Sequence, residues 1–447
     1  MPRLSRPLLV ALLATLPATL PAQSLDSATR RAVVDSVARV LERAYVDTAI
    51  ARRIAVRLRE RLAAGAYDDE RDVAAFGASI MRDLQGVVRD RHLRVSYEPE
   101  RTFAMGAPAA GARMIAPGGA PPNAGRAWTR IDGRDSLTVA RTNFGFDRVE
   151  RLAGNVGYLK LSQFVPLDWS RATAAAAMAF LASSDAVIVD LRDNVGGSPE
   201  LVEMLLSYFL PSAPRVLLTT HSRALGVTNE RRSWAELPGR RLAGVPLYVL
   251  QNRNSASAAE MLSYVVREQR MGTVVGDTSA GAGNGGAKMS VGAGLALFVP
   301  MWQVTSGPGY ERTGVAPDVP SNPDSALAVA HEMALGRLVA SGSRPDARRE
   351  GEWALELLRA RHPVAAADLA RYAGRYGART LRVVDGRLES VGATGWITRL
   401  VPLAPDAFRS ADARYRFERD AAGRVIALAI EPLAGPPTRV ARAEDVR

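Results

Sequence analysis

The sequence has 447 residues, of which 47% are hydrophobic, so the chain is long and apolar enough to form several hydrophobic cores. It contains no cysteine, which excludes a disulfide framework, a thiolate nucleophile and a cysteine-ligated zinc site. The formal net charge is +12, but basic residues are scattered among acids, as in Asp68-Asp-Glu-Arg-Asp72, which argues against a nucleic-acid-binding protein.

The first residues have the pattern of a secretory signal peptide. Arg3 and Arg6 precede an apolar stretch from Pro7 to Leu20, and Pro21-Ala22 then leads to a polar residue. A retained membrane anchor is the alternative, but the stretch is short for a bilayer span. We therefore expect residues 1–22 to be a signal peptide and the mature protein to be periplasmic or secreted, without an integral membrane span.

Residues 25–98 are predicted to form a small helical domain. Asp26 is the expected N-cap of the first of three helical patterns, in which apolar residues recur every three or four positions. The third pattern ends in Arg89-Asp-Arg-His-Leu-Arg94, which contains His92, one of four histidines in the chain. A connecting region rich in glycine, alanine and proline follows at residues 99–142.

Residues 143–340 alternate between strand and helix patterns, which indicates an α/β core. The first predicted strand is Val156-Gly-Tyr-Leu-Lys-Leu161, and an alanine-rich helix is expected at residues 172–181. Two further strands, which precede Gly196 and Asn252, have the spacing of crossover units.

The turn after the second of these strands predicts a nucleophile. Asn252-Arg-Asn-Ser-Ala-Ser-Ala-Ala-Glu260 joins the apolar run ending at Leu250 to an amphipathic helical pattern. A serine in the first turn of a helix gains from the partial positive charge there. Ser257 is the predicted nucleophile; the alternative is that Ser255 and Ser257 only cap the helix.

The glycine pair predicts a second part of the same site. Asp190-Leu-Arg-Asp-Asn-Val-Gly-Gly197 closes a buried strand with a polar turn, and paired glycines allow close backbone approach. We expect the N–H groups of Ala258 and Gly197, with Gly196 as a close alternative, to bind a developing oxyanion.

Residues 365–445 are predicted to form a small antiparallel β module without a catalytic constellation. Short strands are expected near Tyr372-Ala-Gly-Arg-Tyr376, on both sides of a hairpin turn at Asp385-Gly386, and from Tyr415 to Ile430.

Taken in order, the glycine-pair block, the serine block and the later block Val274-Val-Gly-Asp-Thr-Ser-Ala-Gly281 resemble the tail-specific, or C-terminal processing, serine peptidase family. The resemblance implies a ClpP/crotonase-like core. Too little chain lies between the Gly-, Ala- and Pro-rich stretch from Gly106 to Gly125 and Val156 for a PDZ module, which favours the branch that includes the tricorn core protease and the interphotoreceptor retinoid-binding protein repeats. The C-terminal module is similar to lipocalin-like β modules of some secreted bacterial hydrolases.

The base departs from the processing peptidases that this chain resembles. Their lysine stands in a Phe-Gly-Lys-Gly turn, and the matching turn here is Ala280-Gly-Ala-Gly283, with Ala282 at the lysine position. The chain has two lysines, Lys160 in the first predicted core strand and Lys288 beyond the turn; Lys288 is an alternative base only if it reaches back to the serine.

Tricorn-like members use a histidine to activate the serine and a glutamate to orient that histidine. By resemblance, His92 matches the histidine of their Asp-Xaa-His segment, and Glu311 in Tyr310-Glu-Arg-Thr-Gly-Val315 matches the glutamate. An imidazole titrates near neutrality, and a carboxylate on its other nitrogen fixes the tautomer. Those members also have a serine directly before the histidine, where this chain has Arg91, so the resemblance extends to the Ser-His pair rather than the full tetrad.

Other interpretations of these residues remain. His221 is the alternative base or a cleft residue, whereas His331 and His362 are interpreted as structural. His92 could be an ordinary core or surface histidine, and Glu311 could pair with an arginine.

The combined hypothesis is an exported serine peptidase that hydrolyses peptide bonds of unfolded tails or short peptides through an acyl-enzyme. Ser257 attacks, His92 transfers the proton and Glu311 orients His92. No metal or other cofactor is expected, and the oligomeric state is not predicted. The alternatives are a non-catalytic binding module for apolar ligands or peptides on the same fold, and an esterase or other acyl hydrolase.

Overall fold

The computed structural model describes residues 25–99, 136–341, 345–360 and 364–443. The expected signal peptide at residues 1–22 and most of the predicted connecting region at residues 99–142 lie outside these ranges. Within the described ranges, no helix combines the length and the apolar character needed to cross a membrane.

Helices and strands occur throughout the described chain. The helices are α1 Ser27–Ala44, α2 Thr48–Ala63, α3 Val73–Val87, α4 Ser136–Ala140, α5 Leu167–Leu181, α6 Pro199–Tyr208, α7 Ala258–Glu268, α8 Ala326–Ser341, α9 Pro345–Arg359 and α10 Ala366–Leu369. The strands are β1 Arg94–Tyr97, β2 Phe146–Leu152, β3 Val156–Leu161, β4 Ala186–Asp190, β5 Val216–Ser222, β6 Val227–Arg232, β7 Leu247–Gln251, β8 Thr273–Gly276, β9 Gly285–Gly292, β10 Leu295–Val304, β11 Val319–Pro320, β12 Gly374–Tyr376, β13 Arg379–Val384, β14 Arg387–Val391, β15 Ile397–Ala404, β16 Ala407–Arg409, β17 Ala413–Arg419, β18 Val425–Pro432 and β19 Thr438–Ala441.

The chain forms two compact units, of which the first contains residues 25–89, 93–99 and 287–299. Its helices α1, α2 and α3 each begin after an aspartate whose side chain accepts N–H bonds from the first turn: Asp26, Asp47 and Asp72. The apolar stripes of these helices are buried, which is what their spacing predicts. β1 pairs antiparallel with residues 295–298 of β10.

The second unit contains the other described residues and is built on a six-stranded sheet in the order β11-β8-β7-β4-β3-β2. Its neighbours are parallel except for the antiparallel edge pair β2 and β3. α5 connects β3 to β4, α6 lies between β4 and β7, and α7 connects β7 to β8. Helical crossovers of this kind keep successive strands parallel, so β4 and β7 become neighbours with the same direction.

Alternate residues of the central strands face two different cores. Val187 and Val189 of β4, with Val249 of β7, pack against α5, α6 and α7. Ile188 and Leu250 face the opposite side, where α8 and α9 cover the sheet. Both faces of the sheet are therefore buried, as a parallel sheet requires.

A smaller antiparallel group of strands belongs to the same unit. β5 and β6 form a hairpin, and Thr220 and His221 of β5 pair with Val304 and Gln303 at the end of β10. β6 was not predicted from the sequence, because its residues Val-Thr-Asn-Glu-Arg-Arg lack a clear apolar pattern.

The C-terminal module is an antiparallel sheet of eight strands, β12 to β19, in sequential order. A bridge between Tyr376 and Arg442 joins the first strand to the end of the last one, so the sheet is nearly closed. The predicted hairpin turn is confirmed, since Asp385 and Gly386 have φ values of +49° and +70°, as a tight turn between β13 and β14 demands.

α9 attaches this module to the rest of the second unit. The ring of Trp353 lies 4.5 Å from the guanidinium carbon of Arg409 and 4.8 Å from that of Arg414. Glu356 accepts hydrogen bonds from both arginines. On the other side of α9, Leu355 packs in the core with α8. Burial lowers the pKa of Arg409 to about 10, a cost that the aromatic face and the carboxylate offset.

The predicted fold class is confirmed: an α/β core with N-terminal helices and a C-terminal antiparallel β module. Two boundaries differ from the prediction. The alanine-rich helix begins at Leu167 rather than at residue 172. His92 lies in a loop rather than at a helix end, because α3 ends at Val87 and Val88 is extended, with φ −147° and ψ 131°.

Candidate active site

The loops that follow β4 and β7 lie side by side at one edge of the six-stranded sheet. Residues 191–198, here called the glycine loop, follow β4, and residues 252–257, the serine elbow, follow β7. Asp190 is paired with Leu250 at the carboxyl ends of these parallel neighbours. Two loops that are distant in sequence therefore meet where α/β sheets usually bind their ligands.

Ser257 stands at the head of α7 in a strained conformation. Its φ is +57° and its ψ is −115°, a region that costs a residue other than glycine about 1–3 kcal/mol. The Ser257 N–H donates to Oε2 of Glu260 at 2.9 Å, which holds the elbow. Ser257 is partly exposed, whereas the hydroxyl of Ser255 is buried and donates to the Leu191 carbonyl at 2.8 Å. Ser255 therefore fastens the elbow, and Ser257 is the accessible hydroxyl.

Close packing excludes side chains at both glycines of the glycine loop. Gly196 and Gly197 have φ values of +91° and +135°. A Cβ at Gly196 would lie 2.7 Å from Cβ of Ser257 and 3.0 Å from the nitrogen of Ala258. A Cβ at Gly197 would overlap the carbonyl oxygen of Phe164. Glycine is thus required by conformation and by space at both positions.

The three N–H groups considered as oxyanion donors differ in their hydrogen bonds. Those of Gly197 and Ala258 have no acceptor among the residues that the structure describes. The N–H of Gly196 donates to Oδ1 of Asn194 at 2.8 Å. Asn194 is fully buried, and its Nδ2 donates to the Leu161 carbonyl at 2.7 Å. The amide of Gly196 is thus engaged in shaping the loop, while the other two remain available as donors.

A side-chain clasp joins the glycine loop to the serine elbow. Oδ1 of Asp193 accepts hydrogen bonds from Nδ2 of Asn252 and from Nδ2 of Asn254, each at 2.9 Å. The Asp193 N–H donates to Oδ1 of Asn252 at 3.0 Å. The bonds from Asn254 and then Asn252 lower the pKa of Asp193, so its carboxylate stays charged. This clasp fixes the two loops relative to each other.

The carboxylate of Glu260 ties the serine elbow to the turn at residues 279–284. Besides the Ser257 N–H, it accepts the Ser279 hydroxyl at 2.6 Å, the Gly281 N–H at 2.6 Å and the Ala282 N–H at 2.8 Å. Burial raises the pKa of Glu260, although these four donors oppose the shift. Ala282, which stands at the lysine position of the peptidases that this chain resembles, is buried, and its N–H is one of the groups bonded to Glu260.

Glu311 lies at the other end of the same turn. Its Oε2 accepts the Gly283 N–H at 2.8 Å and the Asn284 N–H at 2.7 Å. Its Oε1 is buried and has no hydrogen-bond partner among the described residues. Burial, followed by repulsion from Asp90, raises the pKa of Glu311 to about 7. Oε1 of Glu311 can therefore still accept a hydrogen bond from a further donor.

His92 belongs to the second unit, together with Asp90 and residue 91. It is buried, with 8% of its surface exposed, and its N–H donates to Oδ1 of Asp90 at 2.9 Å. After burial, the charge of Asp90 is the next cause of the raised pKa of Glu311. Hydrogen bonds connect Ser257 to Glu260, Glu260 to the turn at residues 279–284, and this turn to Glu311.

The other described histidines have separate partners. Nδ1 of His221 lies 3.1 Å from the hydroxyl of Thr228 on β6. Nε2 of His331 lies 2.8 Å from the carbonyl oxygen of Ala153, and burial lowers the pKa of His331. His362 lies outside the described residues.

The two lysines also have defined positions. Nζ of Lys288 lies 2.6 Å from Oε1 of Glu98, so its ammonium group is already engaged in an ion pair. Lys160 lies on β3, opposite Asp190 of β4 and Arg148 of β2.

Three residues of this region received no role from the sequence: Asp90, Asp193 and Glu260. The Ser-Xaa-Xaa-Glu spacing at residues 257–260 is a helix-start signal, and it predicts the hydrogen bond that the Ser257 N–H donates to the Glu260 carboxylate. The clasp between Asp193 and Asn252 joins residues 59 positions apart, and no local pattern predicts such a contact.

Comparison with known proteins relates this region to one peptidase family. Residues 155–321 match the model of peptidase family S41. The chloroplastic C-terminal processing peptidase of Tetradesmus obliquus is 29% identical over 177 residues, which cover 38% of this chain and 36% of that protein. The carboxyl-terminal-processing protease of Synechocystis sp. is 28% identical over 166 residues, which cover 37% of each chain. The similarity thus spans little more than a third of the length of these curated relatives.

Two solved structures of peptidases match this chain with low TM-scores. A photosystem II D1 C-terminal processing protease is 19% identical, with 66% of this chain and 94% of that chain covered and a TM-score of 0.43. The tricorn protease is 14% identical, with 74% of this chain and 37% of that chain covered and a TM-score of 0.40.

Proposed function

From the match of residues 155–321 to the model of peptidase family S41, we propose that this chain is a serine peptidase that works through an acyl-enzyme. The observation that carries the proposal is the strained, partly exposed Ser257 at the head of α7, packed against Gly196. Two N–H groups of this region, at Gly197 and Ala258, are left without acceptors among the described residues. A hydroxyl on a strained elbow with free amide donors nearby suits attack on a carbonyl carbon.

In the proposed reaction, Oγ of Ser257 attacks the scissile carbonyl while His92 takes the hydroxyl proton. The carbonyl oxygen becomes negatively charged and is stabilised by the N–H groups of Ala258 and Gly197. Collapse of this intermediate breaks the peptide bond, and His92 returns the proton to the leaving amine. Water then attacks the acyl-enzyme while His92 takes a proton from it, and collapse of the second intermediate releases the carboxylic acid product as His92 gives that proton to Oγ of Ser257.

Three observations favour a Ser-His-Glu arrangement over a Ser-Lys dyad. Ala282 has no titratable group, and the ammonium group of Lys288 is paired with Glu98. His92 is buried beside Asp90, whose charge acts on Glu311. Oε1 of Glu311 lacks a hydrogen-bond partner within the described residues, so it suits the role of acceptor for an imidazole N–H.

We propose that the substrates are unfolded protein tails or short peptides. The curated relatives are named as C-terminal processing proteases, and these names refer to the C-terminal ends of polypeptides. We also propose export to the periplasm or beyond, because residues 1–22 have a basic start, an apolar stretch and small residues before a polar one.

A fluorophosphonate probe tests the proposal directly, since it reacts with an activated serine. We expect labelling of Ser257, located by peptide mass spectrometry, together with hydrolysis of casein. A folded protein that does not react would support a non-catalytic binding module instead. Hydrolysis of a nitrophenyl ester without hydrolysis of casein would support an esterase.

Replacing Asp193 by glycine tests the clasp between the two loops. Glycine is unstrained at the φ of +65° found there, so only the side chain is removed. We expect kcat to fall about tenfold with little change in KM, because misplaced oxyanion donors weaken binding of the transition state more than of the substrate. Asp185→Ala, which removes an acceptor of Asn155 at the other end of β4, is the matched control. Equal effects of both variants would contradict a positioning role for Asp193.

Replacing Glu311 by glutamine tests the charge of the proposed orienting group. The pKa of Glu311 is raised from an ordinary 4.5 to about 7, so the carboxylate ionises only near neutral pH. We expect kcat/KM of the wild type to fall as pH drops below about 7, and the variant to lose about 10²- to 10⁴-fold of activity above that pH.

The same raised pKa predicts an opposite effect on stability. The folded protein binds the proton of Glu311 more tightly than the unfolded chain, so this contribution to stability is complete below pH 4.5 and disappears as pH rises to about 7. Thermal unfolding of Glu311→Gln should therefore lose less stability over this interval than the wild type. A wild-type activity that is level from pH 5 to 8, or parallel melting curves of the two proteins, would argue against the assignment.

A further inference from the structure

The C-terminal β module contains a cavity that the proposed peptidase chemistry does not use. Its volume is about 660 Å³, and it is lined by residues of the β14–β15 hairpin and of the β16–β17 hairpin. Trp396 and Ile397 supply its apolar surface, and Glu389, Arg399, Ser410 and Asp412 supply polar groups.

Trp396 is the unusual residue of this cavity. It is 76% exposed, and the adjacent Ile397 is 49% exposed, although a tryptophan side chain normally contributes a large area to a core. The hairpin that carries Trp396 is closed by a bond from the Gly392 N–H to the Trp396 carbonyl at 2.9 Å. A flat aromatic surface is thus held in water by an ordered backbone, which is typical of a surface with a binding role.

The polar groups beside Trp396 are fixed in place before any ligand binds. Glu389 is only 7% exposed, and its Oε2 accepts a hydrogen bond from Nη2 of Arg382 at 3.1 Å. Its Oε1 lies 3.6 Å from Nε of Arg399. On the opposite hairpin, the Ser410 hydroxyl donates to Oδ1 of Asp412 at 2.6 Å and is itself 4% exposed. A buried carboxylate that lines an open cavity indicates a built site rather than an accidental surface hollow.

The charges and the strand pairing restrict the class of ligand. Glu389 is paired with both Arg382 and Arg399, and Asp412 adds a second carboxylate, so two acidic and two basic groups offset each other and the cavity favours a neutral ligand over an anionic or cationic one. β14 is paired on both sides, with β13 and β15, and β16 is paired with β15 and β17. Residues 397–400 of β15 pair with β14 alone, so only this four-residue strand edge is open beside the cavity, a short template for the addition of an extended peptide.

We propose that this cavity binds a neutral saccharide. The apolar C–H face of a sugar ring can stack on the indole of Trp396. Its hydroxyl groups can then bond to the fixed carboxylates of Glu389 and Asp412 and to the guanidinium of Arg399, each of which offers a directional partner. The cavity shares no residue with the proposed peptidase site at Ser257, so binding of a saccharide does not depend on peptidase activity.

Titration calorimetry of the full chain with cellotriose and with triacetylchitotriose tests the proposal. We expect saturable binding of at least one probe, weakened about tenfold or more in Trp396→Ala, because tenfold corresponds to about 1.4 kcal/mol, the size of a good aromatic stacking contact. Trp396→Phe keeps an aromatic face and should recover part of the affinity. Phe180→Ala, which removes a 59% exposed aromatic residue of α5, is the matched control and should bind like the wild type.

The side chain of Trp396 is largely in water, so its replacement should leave the melting temperature unchanged. Absence of binding by both sugars at millimolar concentration overturns the proposal, as does equal affinity of the wild type and Trp396→Ala. Displacement of the sugar by a neutral tripeptide would identify a peptide site instead. A dimer that sediments in the wild type and disappears in Trp396→Ala would show that the surface binds a second copy of the chain.

Discussion

Replacement of Ser257 by alanine is expected to lower kcat for peptide hydrolysis by about 10⁴- to 10⁶-fold, the range found when a catalytic serine is removed. Ser257 is the partly exposed serine of the elbow and lies at the head of α7 beside Gly196, whereas Ser255 is buried. Without it no acyl-enzyme can form, and fluorophosphonate labelling should disappear as well. Steady-state kinetics on a casein-derived fluorogenic peptide, with labelling measured in parallel, checks both expectations.

Two further serine variants make this result specific. Ser263 lies on the same helix, and its buried hydroxyl has no hydrogen-bond partner among the described residues, so Ser263→Ala should retain activity and stability. Ser257→Gly should be inactive but more heat-stable than Ser257→Ala, because glycine relieves the strain of the positive φ. Proteolysis by Ser257→Ala at the wild-type rate would show that another residue is the nucleophile.

Replacement of His92 by alanine is expected to reduce kcat by about 10³- to 10⁶-fold, because Ser257 then has no base. The imidazole is buried beside Asp90, so its removal leaves a small cavity and can lower stability. His92→Gln fills most of this space without supplying a base and should be folded but inactive. Melting curves of both variants separate loss of chemistry from loss of folding.

The matched control for His92 is His221→Ala on β5. His221 is the alternative base, and its ring contacts Thr228. We expect this variant to retain kcat within a few-fold and to change KM if His221 lines the substrate cleft. Retention of activity in His92→Ala together with its loss in His221→Ala would reverse the assignment. Retention in both would favour the lysines, and Lys160→Ala and Lys288→Ala would then be the next variants to measure.

Much of the local structure near Ser257 could be predicted, because it follows from short-range physical rules. Buried β-branched strands, a serine-rich turn and an amphipathic helix predicted β7, the serine elbow and α7 in the order in which they occur. The glycine pair predicted close backbone approach, and the structure explains it by the contact of Gly196 with Ser257. The Asp385-Gly386 turn was predicted on equally local grounds.

Contacts between distant segments could not be predicted in the same way. The clasp of Asp193 with Asn252, the bonds from the turn at 279–284 to Glu260 and Glu311, and the ion pair of Lys288 with Glu98 depend on how elements pack. The residues around Lys288 in the sequence do not reveal that its ammonium group is paired with Glu98, which is far away in the chain. Likewise, Arg409 is charged but almost fully buried, because Trp353 and Glu356 of another element cover it.

The amino-acid sequence by itself determined the alternation of strands and helices, the capped helices of residues 25–87 and the strand–turn–helix unit that presents Ser257. These features depend on hydrogen bonds and apolar spacing within a few residues, which the order of side chains specifies directly. Only the tertiary structure decided that the N–H of Gly196 is engaged by Asn194, that burial and then Asp90 raise the pKa of Glu311, and that Trp396 stays exposed beside a buried carboxylate. Such properties depend on burial and on the charges of residues brought together from distant parts of the chain.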